Sequence, residues 1–188
     1  LTRQEYERLL AAARARGQER LALLMEAICA TGIRVSEVRY ITVEAAQRGR
    51  TEISLKGKIR TILLPGKLCR KLLKYARKHK TVSGEIFLTR NGTSLSRRQI
   101  WTELKRLCKS AGVESAKVFP HNLRHLFATI FYRACKDIVR LADVLGHSYL
   151  PCDLRSGARP ATGTSGAGFV GQNQHFEYVR GQSKTWSA

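Results

Sequence analysis

The side chains best suited to chemistry fall in three short segments. They are Ala30-Thr31-Gly32-Ile33-Arg34-Val35-Ser36-Glu37, Leu55-Lys56-Gly57-Lys58-Ile59-Arg60, and Phe119-Pro120-His121-Asn122-Leu123-Arg124-His125, the last answered downstream by Leu145-Gly146-His147-Ser148. A guanidinium meets charge spread over oxygens with two donors at once, so Arg34 and Arg124 suit a phosphoryl group. His121 lies three residues before Arg124, close to one helical turn, and both side chains can face one phosphate. Its place beside Pro120, at a helix start, adds an N-terminal dipole that favours an anion. A loop ammonium, Lys56 or its rival Lys58, can hand a proton to an alkoxide, with neighbouring cations lowering its pKa. Each residue also has a plainer use. Arg34 can simply pair with Glu37 one turn on, Arg124 can be a surface cation, the lysines can be ordinary turn residues, and His147 can cap a helix end. His125, roughly 100° around the helix from Arg124, is assigned to packing or capping. No acidic cluster of metal-ligand type accompanies the histidines, so no metal or other cofactor is expected.

These residues need elements to hold them. Thr2-Arg3-Gln4-Glu5 is a capping box, and Tyr6, Leu9, Leu10 and Ala13 follow at helical spacing. Leu21, Leu24, Met25 and Ile28 mark a second helix that Gly32 closes, and a short third helix carries Ser36-Glu37-Val38. The period then changes. Residues 51–55 and 60–64 read as two strands joined by Lys56-Gly57-Lys58-Ile59, with Pro65-Gly66 ending the hairpin. Leu68, Leu72, Leu73 and Ala76 line one face of the next helix, and Ile86-Phe87-Leu88 reads as a short buried strand. Ser96 caps a helix bearing Ile100, Trp101, Leu104, Leu107 and Cys108, which Gly112 ends; Pro120 opens another, and a last one runs from about Asp137 to Leu145 before Gly146. The expected fold class is α+β, mainly helical, with a small antiparallel sheet.

The charge of the chain says what such a pocket would meet. Over 188 residues, 34 Lys and Arg against 14 Asp and Glu give a formal net charge of +20. A charge that large repels itself unless a polyanion is the partner, with nucleic acid first and an acidic membrane surface second. Residues 151–188 hold Arg155, Arg159, Arg180 and Lys184 against Asp153 and Glu177, so nearly all of the excess belongs to the first 150 residues. Lys67, Arg70, Lys71 and Lys74 belong to a helix whose leucines share one face, which leaves the cations a phosphate-tracking face. Arg97 and Arg98 open a second patch continued by Lys105, Arg106 and Lys109. No apolar run approaches the roughly 20 residues that span a bilayer, and Leu1-Thr2-Arg3-Gln4-Glu5 has no apolar signal region. Five widely spaced cysteines without a C-x-x-C pair predict reduced thiols, and the expected location is the cytoplasm of a bacterium, on the nucleoid. The absence of an initiator methionine suggests a piece of a longer protein.

On the three segments together, the chain resembles the catalytic domain of the tyrosine recombinases of the phage and transposon integrase family. The resemblance covers residues 1–149. It implies the recombinase catalytic core as the fold and double-stranded DNA as the partner. It also implies strand cleavage and rejoining without a metal, through a 3′-phosphotyrosine. By that resemblance Arg34 and Arg124 bind the non-bridging oxygens, with Glu37 orienting Arg34. Lys56 protonates the leaving oxygen, and His121 and His147 hydrogen-bond the phosphate and assist proton transfer. Family members assemble as tetramers on DNA, with the C-terminal segment exchanged between neighbours; this chain is expected to be a monomer in solution.

The resemblance stops at the nucleophile. The family tyrosine lies about nine residues after the second histidine, roughly two and a half helical turns on, and position 156 is Ser156. Pro151 would break a helix running on from residue 149. Tyr149 and Tyr178 are the tyrosines left, Tyr149 being the candidate that resembles the family residue brought forward by a deletion. Residues 150–188 carry six of the fifteen glycines and no periodicity, so they are expected to be a flexible or rearranged tail. Two functions follow: a recombinase with a displaced nucleophile, or a catalytically inactive DNA-binding remnant. A basic RNA-associated protein is a weaker third reading.

Overall fold

The computed structural model describes residues 1–55 and 58–146. Its first helix, α1 (Arg3–Ala15), starts where the sequence places it. Glu5 N–H donates to Thr2 Oγ1 at 3.2 Å, and Thr2 N–H donates to Glu5 Oε2 at 2.7 Å, which closes the capping box. Helix α2 (Glu19–Thr31) is buried around most of its circumference, Ala22, Leu23, Ala27 and Cys29 as well as the expected face. A helix apolar on all sides belongs in the centre, and α2 packs against α1, α4, α5 and α6.

After Gly32 the chain turns through a 3₁₀ segment, Val35–Tyr40, where a short α-helix was expected. Helix α3 (Val43–Arg48), capped by Thr42, follows and was not foreseen. Strands β1 (Arg50–Leu55) and β2 (Lys58–Leu63) pair antiparallel, with Leu55 opposite Lys58 and Ile53 opposite Arg60. The ladder therefore runs two residues further toward the turn than the apolar pattern indicated. Backbone pairing does not need apolar side chains, and Ile59 lies exposed. Helix α4 (Gly66–Lys78) follows Pro65 and buries Leu68, Leu72 and Ala76. The expected strand at 86–88 is a correction. Ile86 and Phe87 are both buried, but the segment makes only isolated bridges, Thr42 to Glu85 and Leu88 to Ser94. Two consecutive buried residues also break the alternation of a one-sided strand.

Helix α5 (Arg97–Ala111) carries a second capping box, Ser96 with Gln99, and ends at Gly112. Helix α6 (Pro120–Cys135) has Pro120 in its first turn, and α7 (Ile138–Leu145) is capped by Asp137 and ends at Gly146. Phe127, Phe131 and Leu145 form a small apolar cluster that fastens α7 onto α6. Cys29, Cys69 and Cys108 are free buried thiols and Cys135 is a free half-buried one. The expected boundary at 149/150 and the tail beyond it lie outside the described residues.

One glycine fixes how these helices meet. Gly32 has φ +65°, and a Cβ there would sit 2.5 and 2.7 Å from the Phe127 ring and 3.1 Å from Leu145 Cδ2. The end of α2 thus touches α6 and α7 through bare backbone. Gly32→Ala should cost roughly 2–4 kcal/mol, the left-handed penalty plus overpacking, read as a lowered urea midpoint. Gly84, with φ +77° and open space around it, is the control; Gly84→Ala should cost only about 1–2 kcal/mol. Equal losses at the two positions would mean that the Phe127 contact is not a constraint.

Candidate active site

The site grows from the turn that Gly32 permits. Arg34 stands at the head of the 3₁₀ segment, and Glu37 follows three residues on, 4% exposed. Both carboxylate oxygens of Glu37 are occupied. Arg34 Nη1 donates to Oε1 at 2.8 Å, and the Arg34 backbone N–H donates to Oε2 at 2.9 Å. Arg60, from the middle of β2, donates through Nη2 to the same Oε2 at 2.5 Å.

The other ends of these cations meet on the last carbonyls of α7. Arg60 Nη1 and Arg124 Nη2 each donate to Leu145 O at 2.5 Å, and Arg34 Nη2 donates to Gly146 O at 3.2 Å. Arg124 also donates through Nη1 to Gly32 O, one turn of backbone before Arg34. A helix leaves its final carbonyls without partners and carries partial negative charge there. Three guanidiniums answer that end.

The cations feel one another. Burial, then repulsion from Arg34 and Arg60, pushes the Arg124 guanidinium from its ordinary value down to about 10. Burial also lowers Arg60, where attraction to Glu37 opposes it and Arg34 adds to it. Burial by itself would raise Glu37; the hydrogen bonds from Arg34 and the charges of Arg60 and Arg34 outweigh it and hold the carboxyl below the usual range. Such a pocket gains from a bound anion. Arg34 is the open member, its side chain 37% exposed, while Arg60 is 14% exposed and Arg124 7%.

His121 sits in the first turn of α6, exposed, three residues before Arg124. Its ring meets that of His125 edge-on at a centroid distance of 4.3 Å. Partial burial and then the nearby His125 and Arg124 lower its pKa, which keeps it neutral at pH 7. His125 is exposed, and its ring packs edge to face against that of His121. Lys56, His147 and Tyr149 lie outside the described residues, and Lys58 opens β2. Among the described residues no group of three or more His, Cys, Asp and Glu is placed to hold a metal ion.

Of the cations assigned to the DNA backbone, Arg70 and Lys74 are exposed on α4, and Arg97 and Arg98 are exposed at the start of α5. Lys67 is half-buried in the first turn of α4. Lys71 is half-buried and turned to Glu26 Oε2 at 2.5 Å, while Arg14 takes Oε1 of the same carboxylate. On α5, Lys105 lies over the Trp101 ring at 5.3 Å, a cation–π contact the sequence reading did not anticipate. Arg60 is the larger omission. A signal for it existed: it shares a strand face with buried Ile62 and pairs with buried Ile53.

The lowered Glu37 pKa sets a pH dependence. A carboxylate depressed in the fold stabilises fully above its unfolded pKa, about 4.3, and that contribution is lost as pH falls through the folded value. Glu37→Gln should cost on the order of 3 kcal/mol at pH 7, the loss expected for breaking a buried pair. The gap in urea midpoint between the two proteins should narrow as pH drops below about 4. A gap unchanged between pH 7 and pH 3 would show that the Glu37 charge is not what holds this site.

Comparison with known proteins agrees with this architecture. Residues 1–151 match the phage integrase family. Among curated relatives, the chain is 34% identical over 158 residues to tyrosine recombinase XerA of Thermococcus kodakarensis, covering 80% of this chain and 54% of that one. It is 33% identical over 132 residues to tyrosine recombinase XerC of Neisseria meningitidis, covering 68% and 43%. The chain spans about half the length of these relatives. Solved structures of the same fold include XerA recombinase (TM-score 0.68, 22% identity, 96% of this chain and 62% of that one). Another is Tn1549 transposon integrase in complex with transposon right end DNA (TM-score 0.65, 17% identity, 95% and 65%). The mainly helical domain with its small antiparallel hairpin thus has the fold of the tyrosine recombinases, and the protein belongs to the phage integrase family.

Proposed function

We propose that this chain supplies the phosphate-binding and proton-handling part of a site-specific DNA strand transferase. The observation that carries the reading is the convergence of Arg34 and Arg124, 90 positions apart in sequence, on one pocket with an excess of positive charge. Arg34 has exposed donors to offer the non-bridging oxygens of a phosphodiester, and Arg124 fixes the pocket floor. Neutral His121, at the N-terminus of α6, accepts or returns a proton at the phosphate. In the proposed step a tyrosine hydroxyl gives its proton to His121, its oxygen bonds to phosphorus, and the bond to the 5′ oxygen breaks. That oxygen leaves with a proton from Lys56, and the matching 5′ hydroxyl later reverses the bond exchange. His147 adds a hydrogen bond to the phosphate. Duplex DNA is the partner that the net charge of +20 favours, with Lys67, Arg70, Lys74, Arg97 and Arg98 as backbone contacts. XerH recombinase and Tn1549 integrase, which share the fold, have been solved bound to DNA.

Ser156, at the spacing where the family has its tyrosine, favours a second reading: a DNA-binding remnant with no chemistry. A nicked-duplex trap separates the two. The chain is incubated with a pool of nicked duplexes, run on a denaturing gel, and any adduct is mapped by mass spectrometry. The strand-transferase reading expects an adduct at Tyr149 or Tyr178. Arg34→Ala should slow its formation by roughly 100- to 1,000-fold, the cost of one lost oxyanion donor. No adduct with duplex binding retained would establish the remnant. Both readings expect affinity for duplex DNA to fall about a thousandfold between about 50 and 200 mM salt, as for six or more phosphate contacts. Tighter binding to RNA at equal salt would defeat both. Light scattering should find a monomer in the absence of DNA.

A further inference from the structure

We propose that Arg60 is a positioning residue for the phosphate site. It would set the aim of Arg34 and the place where α7 ends without touching the substrate. This rests on the strand-transferase reading for its effect on rate, and on the described geometry alone for its effect on position.

Both terminal nitrogens of Arg60 are engaged inside the protein and its side chain is mostly buried. Nη2 is held by Glu37 Oε2 and Nη1 by Leu145 O. The guanidinium comes up close against Gly146. A Cβ built there would stand 2.5 Å from Nη1, 2.8 Å from Cδ and 3.2 Å from Cζ of Arg60. The same glycine has φ +64°, so its missing side chain serves both the turn and the close approach. Arg60 is thus enclosed between the 3₁₀ segment, β2 and the end of α7.

What Arg60 does is divide Glu37. One carboxylate faces two guanidiniums, and each takes an oxygen of its own through a terminal nitrogen: Arg34 takes Oε1 and Arg60 takes Oε2. Without Arg60, Arg34 would be the sole guanidinium on Glu37. A carboxylate and a guanidinium left to themselves prefer the two-pronged side-on pairing. To form it, Arg34 would swing Nη2 off Gly146 O and onto the carboxylate, which turns its guanidinium away from its present aim. Leu145 O would lose one of its two guanidinium donors in the same event. Arg60 also ties β2, four residues after Lys56, to a carbonyl 85 positions away. The hairpin and the α7 end are therefore held in one frame by a side chain that is itself out of reach of the pocket mouth.

The test compares the 188-residue chain with Arg60→Gln, Arg60→Lys and Gly146→Ala. The last pushes on Arg60 from the opposite side, so it carries the test if Arg60→Gln does not fold. Amide exchange at Gly146, the Arg34 Nε–H resonance, duplex affinity and the rate of adduct formation are all read. In Arg60→Gln and Gly146→Ala, exchange of the amide at position 146, taken relative to the intrinsic rate of the residue there, should rise on the order of tenfold, the factor made by one lost hydrogen bond, while amides in the middle of α2 keep their wild-type rates. The Arg34 Nε–H resonance should move. The adduct rate should fall roughly 100-fold, as for a misplacement of about 1 Å, with duplex affinity held within about threefold. Arg60→Lys keeps the charge but has no planar fork, so it should recover part of the rate. Unmoved Gly146 and Arg34 signals in Arg60→Gln and Gly146→Ala would overturn the proposal. So would a loss of duplex affinity as large as the loss of rate, which would place Arg60 on the phosphate. If the wild-type chain forms no adduct, strand transfer fails by itself, and the Gly146 and Arg34 signals still decide the role of Arg60.

Discussion

Everything at this site depends on one buried carboxylate serving more cations than it can neutralise. Glu37 binds Arg34 and Arg60 directly, and Arg124 joins them on the carbonyls that end α7. A buried pair is costly to form and more costly to break. Here the cost is met by filling lone pairs. Glu37 receives three hydrogen bonds, and the two α7 carbonyls receive guanidinium donors besides. The result is a rigid group of charges drawn from the turn after α2, from β2 and from α6, with α7 as the common anchor.

The rest of the fold is arranged so that these pieces can approach. Gly32 lets the end of α2 lie on Phe127 and Leu145 without a side chain between them. That contact brings Gly32 O to Arg124 and Leu145 O to both Arg60 and Arg124. Gly146 repeats the device from the other side, over the Arg60 guanidinium. Both glycines stop a helix, both have positive φ, and both admit a neighbour where a methyl group would collide. A helix stop and a close approach are separate demands, and the same residue type meets the two together.

Much of this was legible in the sequence because it is local. The Thr2–Glu5 and Ser96–Gln99 boxes, Pro120 opening α6 and Gly146 closing α7 are decided within a turn of chain, and each stands where the pattern put it. Arg34 with Glu37 was readable as a local pair, and the pair is there. What escaped was set by distant partners. Helix α3 is only six residues long, too short for a period to declare itself. Ile86 and Phe87 looked like a strand, because burial alone cannot tell a strand from a loop pressed into the core. Lys71 looked like a free cation on the polar face of α4 until Glu26 of α2 came beside it. Arg60 was passed over as one more basic residue in a basic chain, although its alternation with Ile62 marks it as inward-facing.

The charge count of the pocket bears on what it would do to a phosphodiester. Among the described residues, Arg34, Arg60 and Arg124 against Glu37 leave two positive charges, and the lowered pKa of His121 favours its neutral form. A bound diester carries one negative charge, which leaves the pocket still electropositive. Attack by a phenolate adds a second negative charge to the oxygens around phosphorus. The pocket is therefore better matched to the five-coordinate state than to the resting diester, and a preorganised field that favours the former over the latter lowers a barrier instead of merely tightening binding. Without Glu37 there would be three positive charges, but Arg34 and Arg60 would lose the carboxylate that fixes where their donors sit. On this argument the carboxylate at the centre of a phosphate site is not an obstacle to anion binding. It holds Arg34 and Arg60 in place, one on each oxygen, and in the proposed reaction that is what would aim Arg34 at the new charge.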